Sequence, residues 1–364
     1  MANESTMNRC IKAMSFVYGD FDTLSDEQCQ SWMPPSEPGT GGQRGRRLWT
    51  DAFGLVNFTT LFVLTGHRRY LILANRLAQA VHDVLGRARD GNERLPGATD
   101  ARPLQGGLRS GRAKKENDGQ VHRDLAMWMF ALDRLGRANN DATNWNQLAV
   151  SLGEAIHPRF TVHTLSGGMR LVGRVSNDME DVLDVQRGEA DAIMGWAVFR
   201  TVRDGVSASV LGDEIKEYES ATRSGKGDED VKWLGMGLWL SALWRGERWS
   251  DEMGKQAMKN VGKVLEDSTR TLPKGDDLED RAVGELGACL GVKCWLGGNA
   301  SGEHEKGMLE TTDRIIKLWE ARLENQLEAE VKGVVAAMAG AALMPGGEYI
   351  TGARHTIRTT LTKS

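Results

Sequence analysis

The chain has 364 residues, of which 40% are hydrophobic and 26% charged, with a net charge of −4. This composition supports a sizeable globular core and gives no electrostatic reason to expect nucleic acid or an anionic membrane as a partner. Four cysteines are too sparse for a disulfide scaffold, and the stretch 1–30 lacks the apolar core of a signal peptide; a reducing, cytoplasmic setting is expected.

Met7, Cys10, Ile11, Met14 and Tyr18 recur at helical spacing, predicting an amphipathic helix over 4–18. The same periodicity predicts helices near 50–65, 69–86, 121–135, 144–156, 188–203, 209–223, 231–244, 251–267, 279–295, 306–327 and 329–343. Two types alternate. Those starting near 50, 121, 188, 231, 279 and 329 are apolar nearly all round, as in Phe53-Gly54-Leu55-Val56 and Leu125 through Phe130. A helix apolar on every side is buried on every side. The helices starting near 4, 69, 144, 209, 251 and 306 carry charge on one face. An all-α architecture follows: six inner helices inside six outer ones, an (α/α)6 toroid in which the N-terminal helix closes the ring. The whole chain, 1–364, reads as one such domain. Glycines within inner helices, among them Gly54, Gly235, Gly287 and Gly291, cost helix propensity and imply close approach of crowded helices.

Turns of the kind Thr65-Gly66-His67-Arg68 keep the inner-to-outer connections short. Three outer-to-inner connections are long: 19–49, 87–120 and 157–187. Long loops in a compact domain are usually functional, and all three emerge where inner helices begin, which marks that end as the mouth. In the third, alternation in 159–163 and 169–172 around Ser166-Gly167-Gly168 predicts a β-hairpin flap, expected to be the only sheet.

Polar residues at the inner-helix starts are the candidates for chemistry. Asp51 follows Trp49 in the first turn of the first inner helix; it is either a helix cap or a catalytic carboxylate beside an aromatic sugar platform. The second start holds Asp118 and His122, a candidate proton shuttle, after a Gly-rich segment carrying Arg109, which would grip an acidic substituent or pair with Asp118. The acidic run containing Asp178 leads into Glu189 and Asp191 at the third start. Two carboxylates in unlike environments are what acid–base hydrolysis or epimerisation requires. Asp51, His122, Glu189 and Asp191 are therefore the catalytic candidates, with Trp49, Arg109, Asp118, Asp178 and Trp196 as substrate-binding ones. Asp51, His122 and Asp191 are expected to line one cavity of about 300–1,000 Å³ reached past the flap. Cys289 and Cys294 lie five apart on an apolar helix and need not share a face, so no metal site is expected, nor any cofactor. Phosphate-cradling glycine loops and a serine nucleophile elbow are missing.

Leu64-Thr65-Gly66 through Tyr70-Leu71, Arg47 through Gly54, Gly107 through Arg112, and Asp118-Gly119-Gln120 through His122, together with the alternating helix types, resemble the six-hairpin glycosidase-like (α/α)6-toroid superfamily. That superfamily includes glycosidases, unsaturated glucuronyl hydrolases and N-acylglucosamine 2-epimerases. The resemblance implies a carbohydrate-active enzyme with a small saccharide-like ligand. A glycoside hydrolase acting on a small or unsaturated saccharide is the leading expectation. An epimerase, isomerase or cyclase with a histidine base is the alternative, beside a non-catalytic ligand-binding toroid. Fold alone does not choose among them.

Overall fold

In the computed structural model, residues 4–349 are described apart from 36, 38–44, 115, 117, 140–144, 164–168, 186–189, 223–230, 271–277, 298–299, 301 and 326. The inner helices are α3 (Leu48–Thr65), α5 (His122–Asn139), α7 (Ala190–Val206), α9 (Val231–Leu243), α11 (Leu278–Leu296) and α13 (Ala329–Leu343). The outer helices are α1 (Glu4–Tyr18), α4 (Arg68–Leu85), α6 (Trp145–Phe160), α8 (Gly212–Ala221), α10 (Arg248–Arg270) and α12 (Glu303–Leu323). A short α2 (Asp26–Gln30) lies in the first long connection. Each inner helix packs on the next, α13 returns to α3, and α1 covers α13, so the ring closes as its alternating pattern predicts.

Burial explains the two helix types. In α3 every side chain from Leu48 to Leu61 is buried, because neighbours surround it on all sides. Its 18 residues are apolar and long enough to cross a bilayer by composition, but 78% of that window is buried inside the protein. Gly66 ends the helix in the left-handed region at φ 70°, where its N–H still reaches the Phe62 carbonyl at 2.7 Å. In α4, by contrast, Leu73, Leu77 and Val81 are buried while Arg68, Gln79 and Asp83 are exposed to solvent.

The ring is not evenly spaced. A Cβ built at Gly235 on α9 would lie 2.3 Å from the Gly287 carbonyl carbon on α11, and one at Gly291 would lie 2.2 Å from the Gly235 carbonyl oxygen. Backbone contacts this short exclude any side chain, so glycine here is a packing requirement that offsets its weak helix propensity.

The flap differs from expectation in extent. Strands β2 (Thr161–His163) and β3 (Met169–Leu171) pair antiparallel as predicted, Val162 opposite Arg170; their turn, 164–168, falls outside the described residues. A second sheet was not foreseen. Strand β4 (Arg174–Val175) lies between β1 (Gln120–Val121) and β5 (Val182–Asp184), all antiparallel. Strands of two or three residues are too short for a periodic signal.

Candidate functional site

The lumen of the ring narrows to a cavity of about 30 Å³ lined by Trp49 and Phe53 of α3, Met127 of α5, Trp239 of α9, Val283 of α11 and Met338 of α13, among others. That space holds a water or two and not a sugar, and its walls are apolar. It also fixes which face of α3, α5, α9, α11 and α13 looks inward, and the polar residues one turn nearer the mouth on those helices can be placed from it.

On α11, Val283, Gly287 and Leu290 line the lumen. Glu279 stands four residues before Val283, on the same stripe. On α5, Asp124 stands three residues before Met127. Arg47, the residue preceding α3, is 3% exposed and donates from Nη2 to Glu279 Oε1 at 2.6 Å. Its Nε and Nη1 have no hydrogen-bond partner among the described residues, and neither does Nε1 of the buried Trp49. Arg112 reaches the same carboxylate at 3.6 Å. The loop that carries it is tied down at both ends: Leu48 N–H donates to Ser110 O at 3.0 Å, and Ser110 N–H donates to Gly119 O at 2.7 Å.

These charges push the two carboxyl groups apart. Burial alone would raise Glu279, but the charge and hydrogen bond of Arg47, with Arg112 behind it, hold it below the usual glutamate range. Burial raises Asp124, and Arg47, Arg112 and Arg123 offset only part of that. One carboxylate is thus kept ionised and its neighbour biased toward the acid form, the division of labour that acid–base catalysis needs. Two unpartnered buried nitrogens of the Arg47 guanidinium beside them, Nε and Nη1, call for an oxygen acceptor.

The sequence-predicted residues are mostly elsewhere. Trp49 lines the lumen cavity. Asp51 is two residues further along α3, about 200° around the helix, and turns outward. It is fully buried, accepts from Arg46 Nε at 3.0 Å and Nη2 at 2.8 Å, and accepts from the Tyr18 hydroxyl of α1 at 3.0 Å. His122 also faces the outer ring: its Nε2 lies 2.7 Å from the Tyr218 hydroxyl of α8 and its ring packs on Phe160. Burial lowers it to about 4. Asp191 is 2% exposed and bound by Arg123 Nε at 2.9 Å. Asp51, His122 and Asp191 therefore do not share one cavity. Glu189 lies outside the described residues.

Arg109 donates to Arg87 O at 2.7 Å, Val84 O at 3.2 Å and Asp118 Oδ2 at 3.0 Å. Arg109 and Asp118 clamp the loop instead of facing the lumen. Asp178 is exposed in a turn, bonded to Ser176 and the Glu180 N–H. Trp196 packs against Trp249 of α10 at 4.7 Å and under Arg200 at 4.7 Å. Free Cys289 and Cys294 are buried, and no cluster of metal-ligating side chains occurs among the described residues.

The chain matches no protein-family model and no curated protein. Its fold matches solved structures along nearly their whole length. Cellobiose 2-epimerase from Spirochaeta thermophila DSM 6192 superposes with a TM-score of 0.55 at 12% identity, covering 94% of this chain and 98% of that one. A D-mannose isomerase superposes with a TM-score of 0.52 at 11% identity, covering 94% and 98%. The six-hairpin (α/α)6 toroid is thereby shown for this chain.

Proposed function

We propose that this toroid is a sugar isomerase or epimerase that works at the lumen mouth, between Trp49 and the charged group of Arg47, Asp124 and Glu279. The observation that carries the reading is that pair of carboxyls, set on lumen-facing stripes and driven in opposite directions by their surroundings. An ionised Glu279 takes the proton from the carbon next to the carbonyl of an open-chain sugar. Arg47 holds the enediolate oxygen with the N–H groups left over from its bond to Glu279, the Asp124 acid protonates an enediolate carbon and becomes carboxylate, and proton exchange with solvent returns both carboxyls to their starting forms. Trp49 offers an apolar ring face and one donor to the sugar. Cellobiose 2-epimerase and D-mannose isomerase share the fold, which favours this proton transfer over cleavage of a glycosidic bond.

The reading replaces hydrolysis by a pair that includes Asp51. It also needs no histidine base, since His122 is turned away and held neutral.

The test is proton exchange in heavy water, followed by NMR over a panel of aldoses, ketoses and small disaccharides. Deuterium should enter the carbon beside the carbonyl, and Glu279→Gln should abolish this while leaving the helical circular dichroism intact. Reducing-sugar release without exchange would return the hydrolase reading. Tight binding of one sugar with neither reaction would make the toroid a binding protein.

A further inference from the structure

The lumen is stopped from below by the chain's own C-terminal segment. After α13 the chain turns back into the ring at the end opposite the mouth. Cys294 of α11 contacts the Pro345 carbonyl, Gly347 lies against Thr60 of α3, and Glu348 N–H donates to Thr60 Oγ1 at 3.2 Å. Tyr349 then stands between α3 and α9. Its hydroxyl reaches Asn57 Oδ1 at 2.9 Å and Phe53 O at 3.2 Å, its carbonyl accepts from Trp239 Nε1 at 3.0 Å, and its ring lies on Phe53 at 6.1 Å and 25°. Phe53 and Trp239 also line the small cavity directly above. Tyr349 is fully buried although it sits on neither a helix nor a strand.

We infer that Tyr349 is an intramolecular ligand of the lumen and sets the depth of the site. The ring backs Phe53, and its carbonyl holds Trp239; those two residues wall the cavity of about 30 Å³ beside Trp49, so with Tyr349 in place a ligand is confined to the layer of Trp49. Without it the lumen deepens to Asn57 and becomes an aromatic compartment with one polar group at its end, matched to a phenol. The depth limit rests on the mouth being the ligand site; the occupancy of the compartment does not.

The probe is p-cresol, the tyrosine side chain as a free molecule, used on full-length Tyr349→Ala. Apolar cavities of about 150 Å³ take benzene-sized ligands, so saturable binding by calorimetry and a raised melting temperature are expected in the variant and not in the wild type. Failure of a folded variant to bind p-cresol overturns the inference. If the variant does not fold alone, refolding with p-cresol decides: regained helical signal supports the inference, and none overturns it. Depth is read with 6-O-benzyl- and 6-O-methyl-D-glucose, both able to open to the free aldehyde. Tyr349→Ala should bind the benzyl compound at least ~10-fold tighter than the wild type does, about 1.4 kcal/mol, with the methyl compound unchanged. Unchanged preference despite p-cresol binding overturns the depth limit. If neither sugar binds while p-cresol does, the mouth reading fails and the occupancy stands.

Discussion

Replacing Asp51 by asparagine separates a structural ion pair from a catalytic carboxylate. The Asp51 carboxylate is fully buried and accepts three hydrogen bonds, two from Arg46, whose side chain is 1% exposed, and one from Tyr18. An amide keeps one acceptor oxygen and turns two N–H donors toward groups that also donate. It leaves the Arg46 guanidinium buried without its counter-charge, which typically costs about 3–5 kcal/mol. Arg46 has further contacts, so the lower end, about 3 kcal/mol, is expected. Burial raises the Asp51 carboxyl against the pull of Arg46 and Tyr18, so the pair has little surplus stability. Replacing both partners by apolar residues, Arg46→Met with Asp51→Leu, should therefore recover most of the loss. Urea unfolding followed by circular dichroism measures both variants. A single variant within about 1 kcal/mol of the wild type, well short of the cost of a broken buried pair, would refute the reasoning. Loss of sugar turnover without loss of stability would restore Asp51 to catalysis.

Acidification should destabilise the protein through two buried histidines. Burial holds His82 at about 3, helped by Arg94, and His122 at about 4. The unfolded chain takes up protons first as pH falls below 6.5, so stability is full above that value and is lost on the way down, by about 2 kcal/mol per histidine at pH 5; urea midpoints across pH 7 to 4.5 check this, and a flat profile counts against it. Gly235→Ala should destabilise by about 1–3 kcal/mol through overpacking against α11, outweighing about 1 kcal/mol of helix propensity gained; a melting temperature equal to or above the wild type's would contradict the contact. Burial pushes the Cys10, Cys289 and Cys294 thiols up, so a disulfide reagent at pH 8 should label none of the three until denaturant is added.

The toroid was legible because it rests on periodicity repeated through the chain: α3, α9, α11 and α13 announce themselves by lacking a polar face, whereas α5 keeps half-buried Arg123, Asp124 and Arg137 on one side. The site was legible only in part. Selecting acids at inner-helix starts treated every first-turn acid as equal. Rotation about the helix axis separates them: Trp49 and Phe53 are one turn apart and look inward, whereas Asp51 lies nearly opposite. The stripe Glu279, Val283, Gly287 and Leu290 carried the same information, since it joins an acid to the small and apolar residues of a lumen wall. Arg47 and Tyr349 left no such trace. One immediately precedes a helix and the other follows the last, and only tertiary contacts bring them to the lumen.

The union of β1 with α5 ties the flap to the layer of Asp124. Strand β1 ends at Val121 and the helix begins at His122 with no residue between. Val121 is in register with Arg174 of β4, and His122 N–H donates to Gly173 O at 3.1 Å. Asp124 follows two residues later. The flap is therefore geared to the helix and is not a free lid: β4 cannot lift without either breaking this ladder or carrying the first turn of α5 with it. Hydrogen exchange at the His122 amide tells the two movements apart, fast if the ladder breaks and protected if helix and flap swing together.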